Sequence, residues 1–184
     1  MGKKNLKFKV ELMDENAMKR ALTRLSYEIV EKNPDLKDLC LIGIKTRGIP
    51  MANRLCQLIE KHTGTILPYG SLDIRFYRDD LQKVADSPQF AGEVLPFDIT
   101  GKKIILVDDV LYTGRTVRAA IDALFDAGRP QRISLAVLVD RGHRELPFKA
   151  DYVGKNVPTS NNEVIAVSFR ETDGKDNVEL LEKQ

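Results

Sequence analysis

Hydrophobic residues recur along this chain with two periods, and the switching between them divides it into elements. Met18, Leu22, Leu25 and Ile29 fall three or four apart, as on one face of an α-helix, with Asp14 placed to cap its start and Pro34 to stop it. Leu39 to Ile44 is a short unbroken apolar run, as a strand covered on both faces requires. Gly48 to His62 returns to helical spacing through Met51, Leu55, Leu58 and Ile59. From Ile66 to Tyr77 the period is two: Leu72, Ile74 and Phe76 alternate with Asp73, Arg75 and Tyr77, predicting a long extended segment. Residues 78–96 carry Gly, Pro and charge without a period. A second apolar run, Ile104 to Val107, leads to an amphipathic helix through Val117, Ala120, Ile121 and Leu124, ending near Ala127. The turn Gly128-Arg129-Pro130 introduces a third run, Ile133 to Val139. After Asp140 the pattern breaks: residues 141–160 are rich in Gly, Pro, Arg, Lys and His, and one further strand, Val164 to Phe169, follows.

Strands alternating with helices in this order predict an α/β protein with a central parallel sheet flanked by helices. Ligands of such sheets lie beyond the carboxyl ends of the strands, where Lys45-Thr46-Arg47, Asp108 and Asp140-Arg141 all fall. With 184 residues, 42% hydrophobic and 30% charged, one globular domain is expected. Its core runs from about 14 to 140, a small hood from about 141 to 170, and a flexible loop from about 78 to 96. No apolar stretch reaches membrane-spanning length and the first ten residues are too polar for a signal peptide, so a cytoplasmic location without membrane association is expected. Cys40 and Cys56 sit in apolar patterns and read as buried reduced thiols. The net charge of +2 is too small to argue for nucleic acid. Its distribution is uneven, with Lys and Arg loading the first segment and acids the tail after Arg170; a solvated helix face explains this equally well.

The chemistry concentrates in Ile104 to Thr116, where an apolar run ends in Asp108 and Asp109, followed by Val110, Leu111, Tyr112, Thr113, Gly114, Arg115 and Thr116. Paired carboxylates suit sugar hydroxyls or a hydrated Mg²⁺, whereas a helix N-terminus suits a phosphate. A ligand matching both carries a polyol beside a phosphate, as a ribose 5-phosphate does. Gly43 to Gly48 joins strand to helix with a hydroxyl and two cations; it is either a pyrophosphate loop or an ordinary turn with surface cations. Tyr77-Arg78-Asp79-Asp80 opens the long loop, a lid over the site or a surface hairpin. Arg141 leaves a strand end beside the site, and His143 is a structural histidine or a general acid.

The segment around Asp108 resembles the phosphoribosyl-pyrophosphate motif of type I phosphoribosyltransferases. Together with Asp140 to Pro147 and Tyr152 to Ser160, it is similar to the bacterial pyrimidine-operon attenuation regulators that are also uracil phosphoribosyltransferases. The likeness runs from about Asp14 to Ser160. It implies a type I phosphoribosyltransferase fold with a C-terminal hood, and formation of UMP and pyrophosphate from uracil and phosphoribosyl pyrophosphate with Mg²⁺. In that reading Asp108 and Asp109 hold the ribose and, indirectly through substrate or water, the metal. Leu111 to Thr116 cradle the 5′-phosphate, with Val110 also binding substrate; Thr46 and Arg47 bind pyrophosphate; Arg78 arrives with the loop; Arg141 and the backbone near Ile165 read the base. Purine-specific relatives often carry a carboxylate where Tyr112 stands. The resemblance further implies binding of a leader mRNA hairpin of pyrimidine-biosynthesis genes, strengthened by UMP or UTP, through Thr23, Arg24 and Lys155. Tyr27, Lys32 and Lys149 depart from the family pattern. A homodimer or higher homo-oligomer would join two such faces. Two alternatives stand beside this reading: a pure salvage phosphoribosyltransferase for uracil or a purine, and a nucleotide sensor without turnover.

Overall fold

The computed structural model describes residues 6–75, 77 and 95–184. Twelve elements follow one another: β1 (Leu6–Met13), α1 (Glu15–Lys32), β2 (Leu39–Ile44), α2 (Gly48–Thr63), β3 (Tyr69–Leu72), β4 (Lys103–Leu111), α3 (Arg115–Ala127), β5 (Arg132–Asp140), β6 (Tyr152–Asn156), β7 (Glu163–Ser168), α4 (Arg170–Asp173) and β8 (Asn177–Lys183). Five strands form a parallel sheet in the order β3-β2-β4-β5-β6. The other three form an antiparallel sheet, β1-β8-β7.

The central strands are buried on both faces, and their period of two sorts side chains between two cores. Leu39, Leu41, Ile105 and Val107 join Met18, Leu22, Leu25, Met51 and Leu55 of α1 and α2. Cys40, Ile42, Ile104 and Leu106 turn the other way, against Val117, Ala120 and Leu124 of α3. Asp14 caps α1 by accepting from the Ala17 N–H at 2.7 Å, and α1 stops at Asn33, directly before Pro34. Both cysteines are buried; the loss of water around them raises the Cys40 thiol to about 11 and the Cys56 thiol to about 12.

Three expectations are corrected. Among the described residues of the extended run from Ile66 to Tyr77, a strand forms only over Tyr69–Leu72, because Asp73 and Arg75 close on each other in a turn. The segment 141–170 is not all hood: Tyr152–Asn156 pairs with β5 as the outer strand of the parallel sheet, with Tyr152 buried against Asn33. The start and end of the chain also carry strands that the hydrophobic pattern did not reveal. β1 and β8 complete an antiparallel sheet with β7, joined by a Lys9–Glu163 ion pair.

Two glycines set how closely the β2–α2 turn approaches β4. A Cβ on Gly43 would run into the Gly48 carbonyl, and a Cβ on Gly48 into the Val107 carbonyl, one residue before Asp108. Gly48→Ala is therefore expected to lose about 1–3 kcal/mol of unfolding free energy, because the clash outweighs a helix-propensity gain of about 1 kcal/mol. An unchanged denaturation midpoint would contradict the contact. Glu163 offers a test of the hood. The Lys9 ammonium, with the Ser160 N–H, draws its carboxyl from the ordinary 4.5 down to about 2. A carboxyl whose pKa is depressed on folding contributes stability that is complete above about 4.5 and lost as pH falls toward about 2. Urea unfolding across that range should show this acid dependence in the parent chain and a flatter one in Glu163→Gln.

Candidate active site

The β4 strand carries the acidic lip out of the core. Asp108 is buried and Asp109 half-buried at the strand's carboxyl end. Each carboxylate accepts a main-chain N–H nearby: Asp108 from Asp109 at 3.0 Å, Asp109 from Val110 at 2.9 Å. Burial pushes the Asp109 carboxyl up, while its hydrogen bond with Asp108 and the positive charge of Arg47 pull it down.

Opposite the lip stands the turn after β2. Lys45, Thr46 and Arg47 line a cleft of about 570 Å³ together with Asp73, Ile74, Arg75, Asp108, Asp109, Val110 and Thr116. The Lys45–Thr46 peptide is cis. Lys45 reaches Asp73 at 3.9 Å, and the Arg75 guanidinium beside Asp73 holds that carboxyl below its ordinary range. Arg47 donates to Asp173 through Nε at 3.2 Å and Nη2 at 2.8 Å. The cleft thus has an acidic floor and a cationic wall.

A second recess of about 370 Å³ adjoins the first and shares Asp108, Val110 and Thr116 with it; Leu111 to Val117 and Glu145 complete its lining. This recess is the N-terminus of α3. The first N–H groups of a helix lack partners within it and carry partial positive charge, so an anion suits them. Gly114 opens the helix at φ 93°, and a Cβ there would press on Phe148 and Leu146.

The hood residues wrap this loop. Glu145 and Leu146 each donate their main-chain N–H to the Thr113 carbonyl at 3.0 Å. Arg144 donates to the Tyr112 carbonyl at 2.8 Å and pairs with Asp140. Arg115 pairs with Glu145 at 2.8 Å.

Sequence analysis placed Arg141 beside the site, and it lies there, 5% exposed, with its guanidinium 4.1 Å from the centre of the Tyr112 ring. Its Nε donates to the Thr159 hydroxyl at 2.9 Å and its Nη2 to the carbonyls of Ser160 and Glu163 at 3.2 and 2.9 Å. His143 bonds the Thr159 carbonyl and meets the Tyr112 ring edge-on. Ile165 is buried in β7, an edge strand of its sheet.

Thr46, Arg47, Asp108 to Thr116 and Arg141 are thus neighbours around one rim. Arg78 and residues 79–94 of the expected lid lie outside the described residues, whereas Leu95 at its far end is buried in the core with Ile74 and Ile99. Of the three residues expected to meet RNA, Thr23 and Arg24 lie on α1, and Lys155 lies near the carboxyl end of β6, beside Val139 of β5. Arg24 on α1 donates to the carbonyls of Val153 and Gly154 in β6 at 2.9 and 2.7 Å, Lys155 of β6 reaches the Leu12 carbonyl at 3.0 Å, and Thr23 bonds back to Lys19. Sequence reasoning missed Asp73 and Arg75 as cleft residues, since alternation alone assigned them to an outer face. It also missed Asp173, whose only signal was membership of an acidic tail.

Comparisons with known proteins agree with this geometry. Residues 10–172 match the phosphoribosyl transferase domain. A Thermus aquaticus protein named "Bifunctional protein PyrR" is 59% identical over 179 residues, covering 97% of this chain and 99% of its own. A Clostridium perfringens protein of the same name is 59% identical over 174 residues, covering 95% and 98%. Among solved structures, the hypoxanthine phosphoribosyltransferase of Trypanosoma cruzi shares the fold with a TM-score of 0.72 at 19% identity, over 96% of this chain and 98% of that one. With its acidic lip, its phosphate-sized helix terminus and its near-complete match to these relatives, the chain belongs to the phosphoribosyl transferase family and, within it, to the bifunctional PyrR group.

Proposed function

We propose that the protein makes UMP and pyrophosphate from uracil and phosphoribosyl pyrophosphate, and binds leader mRNA of pyrimidine-biosynthesis genes in a UMP- or UTP-dependent way to promote attenuation. One observation carries the enzymatic half. The carboxylates of Asp108 and Asp109, the N-terminus of α3 and the cations of the 45–47 turn open into adjoining recesses that share Asp108. A ribose carrying a 5′-phosphate on one side and a diphosphate on the other fits that arrangement.

The chemistry follows from where charge develops. As the bond from ribose to diphosphate lengthens, the sugar gains positive charge and the leaving group negative charge. Fixed carboxylates beside the sugar and cations beside the diphosphate favour that state over the ground state. Asp108 and Asp109 hold the ribose hydroxyls; Thr113, Gly114, Arg115 and Thr116 present N–H and hydroxyl donors to the 5′-phosphate; Thr46 and Arg47 receive the diphosphate. Uracil needs a paired donor and acceptor, which a main-chain edge supplies. β7 has such an edge, since its sheet neighbour β8 lies on one side only, and Arg141 ties the strand's start to Tyr112.

Mg²⁺ suits the cleft. It keeps several waters and takes one or two carboxylates plus substrate phosphates, and among the described residues no group of three or more His, Cys, Asp or Glu forms a dedicated cage. Asp108 and Asp109 are the carboxylates that would face it through water or substrate. Bound there, the ion would neutralise charge on the diphosphate.

The RNA half is supported by the adjacency of α1 and β6: Thr23 and Arg24 are consecutive on α1, Arg24 donates to the Val153 and Gly154 carbonyls of β6, and Lys155 follows them in β6. Arg24 and Lys155 remain exposed although each also ties elements together. Tyr27, exposed and stacked on His62 at 4.0 Å, adds an aromatic face. A homodimer would set two such surfaces side by side.

Asp108→Asn and Asp109→Asn should each lower turnover at least about tenfold, equivalent to about 1.4 kcal/mol or more of lost transition-state stabilisation; full activity in both removes the ribose role. In filter-binding titrations, leader RNA should bind more tightly with UMP than without. Arg24→Ala combined with Lys155→Ala should weaken binding and reduce the salt slope by about one to two. Unchanged affinity and slope in a variant that melts like the parent would place the RNA face elsewhere, and a parent chain that binds no leader RNA would leave the salvage enzyme alone standing.

A further inference from the structure

Arg47 stands between two carboxylates that come from distant parts of the chain. Asp109 acts on it from the lip, and Asp173 grips it from the last residue of α4. Asp173 is fixed before it meets Arg47. Its Oδ2 accepts the Phe169 N–H at 3.0 Å and the Thr172 hydroxyl at 2.7 Å, so the carboxylate has one orientation on its own short helix. Arg47 then donates Nε to Oδ2 at 3.2 Å and Nη2 to Oδ1 at 2.8 Å. A two-point contact along one side of a guanidinium sets its plane, which a single contact cannot do. The N–H groups of Nη1 lie in the same plane on the edge not taken by Asp173, and Arg47 lines the cleft.

We propose that Asp173 is a positioning residue for diphosphate binding: it holds the Arg47 guanidinium in the plane that the substrate's diphosphate requires, so that Arg47 is ordered before substrate arrives. This rests on the reading of the cleft as a phosphoribosyl pyrophosphate site. An arginine already ordered loses less rotamer freedom on meeting an anion, so the contact raises affinity for the diphosphate end without touching the base. The Asp173 carboxyl lies well below its ordinary range, near 2, with the Arg47 hydrogen bond as the largest cause, so the contact is fully charged at working pH. The position of α4 gives the contact a further consequence. The helix begins directly after β7, so Asp173 links the turn that receives diphosphate to the strand that reads the base.

The helix does not depend on Asp173 to stay in place. Arg54 of α2 holds it separately through Glu171 at 2.6 Å and Asp176 at 2.7 Å, with its guanidinium over the Phe169 ring. Asp173→Asn therefore removes the charge while keeping shape and seating, and Glu171→Gln serves as a control that loosens α4 without touching Arg47.

The test is calorimetric binding of phosphoribosyl pyrophosphate with Mg²⁺, followed by steady-state kinetics. Asp173→Asn should weaken phosphoribosyl pyrophosphate binding about five- to tenfold and raise its KM by a similar factor, with kcat and the uracil KM nearly unchanged. Asp173→Glu should recover part of the loss, and Glu171→Gln should show none. In an Arg47→Lys background, Asp173→Asn should add nothing, since the residue it orients is gone. If the parent chain binds no phosphoribosyl pyrophosphate, the reading of the cleft falls and the inference with it. If the parent binds but Asp173→Asn binds equally or more tightly, the site stands and Asp173 is not its positioning residue; equal losses in both KM values would likewise overturn the role.

Discussion

Two adjacent carboxylates, one buried and one half-buried at the end of a buried strand, are favoured by positive charge close at hand, and the site is arranged around that requirement. Asp108 and Asp109 leave the core where β4 ends. Desolvation there works against the ionised form of Asp109. The turn of residues 45–47 meets the need, and it can do so only because Gly43 and Gly48 let main chain lie against main chain at Val107. A side chain at either glycine would push Arg47 away from the lip. The confrontation of opposite charges across a narrow cleft is also what a ribosyl diphosphate demands.

The hood is tied to the phosphate loop by a continuous set of contacts. Residues 144–146 bond the carbonyls of Tyr112 and Thr113, Arg141 stacks on Tyr112, and the same arginine holds Ser160 and Glu163 at the start of β7. Glu163 in turn engages Lys9 of β1. An anion at the N-terminus of α3 thus touches a loop whose neighbours extend to the first strand of the chain. The same strand β1 carries Leu12, whose carbonyl accepts from Lys155 of β6 at 3.0 Å.

What was legible in the sequence was local. The run from Ile104 to Thr116 carries strand, lip, turn and helix start in thirteen consecutive positions, so its chemistry could be read without knowing the fold. The buried parallel strands β2, β4 and β5 were legible because apolar runs of that length have few other uses. β1 and β8 were not, because each half-exposed strand pairs with a partner at the other end of the chain, and neither shows a clean alternation. β6 is five residues with Gly154 inside it, where Leu138 of β5 approaches too closely for any side chain. Asp73, Arg75 and Asp173 became site residues only through turns and tertiary contacts. Arg24 and Lys155 looked like surface cations, yet both also bind carbonyl groups of other elements.

The most direct test of the account is a crystal structure of the protein with UMP. The ribose hydroxyls should lie against Asp108 and Asp109, the 5′-phosphate should sit on the main-chain N–H groups of residues 113–116, and the uracil should meet the edge of β7. A nucleotide bound elsewhere, with that cleft filled only by solvent, would contradict it.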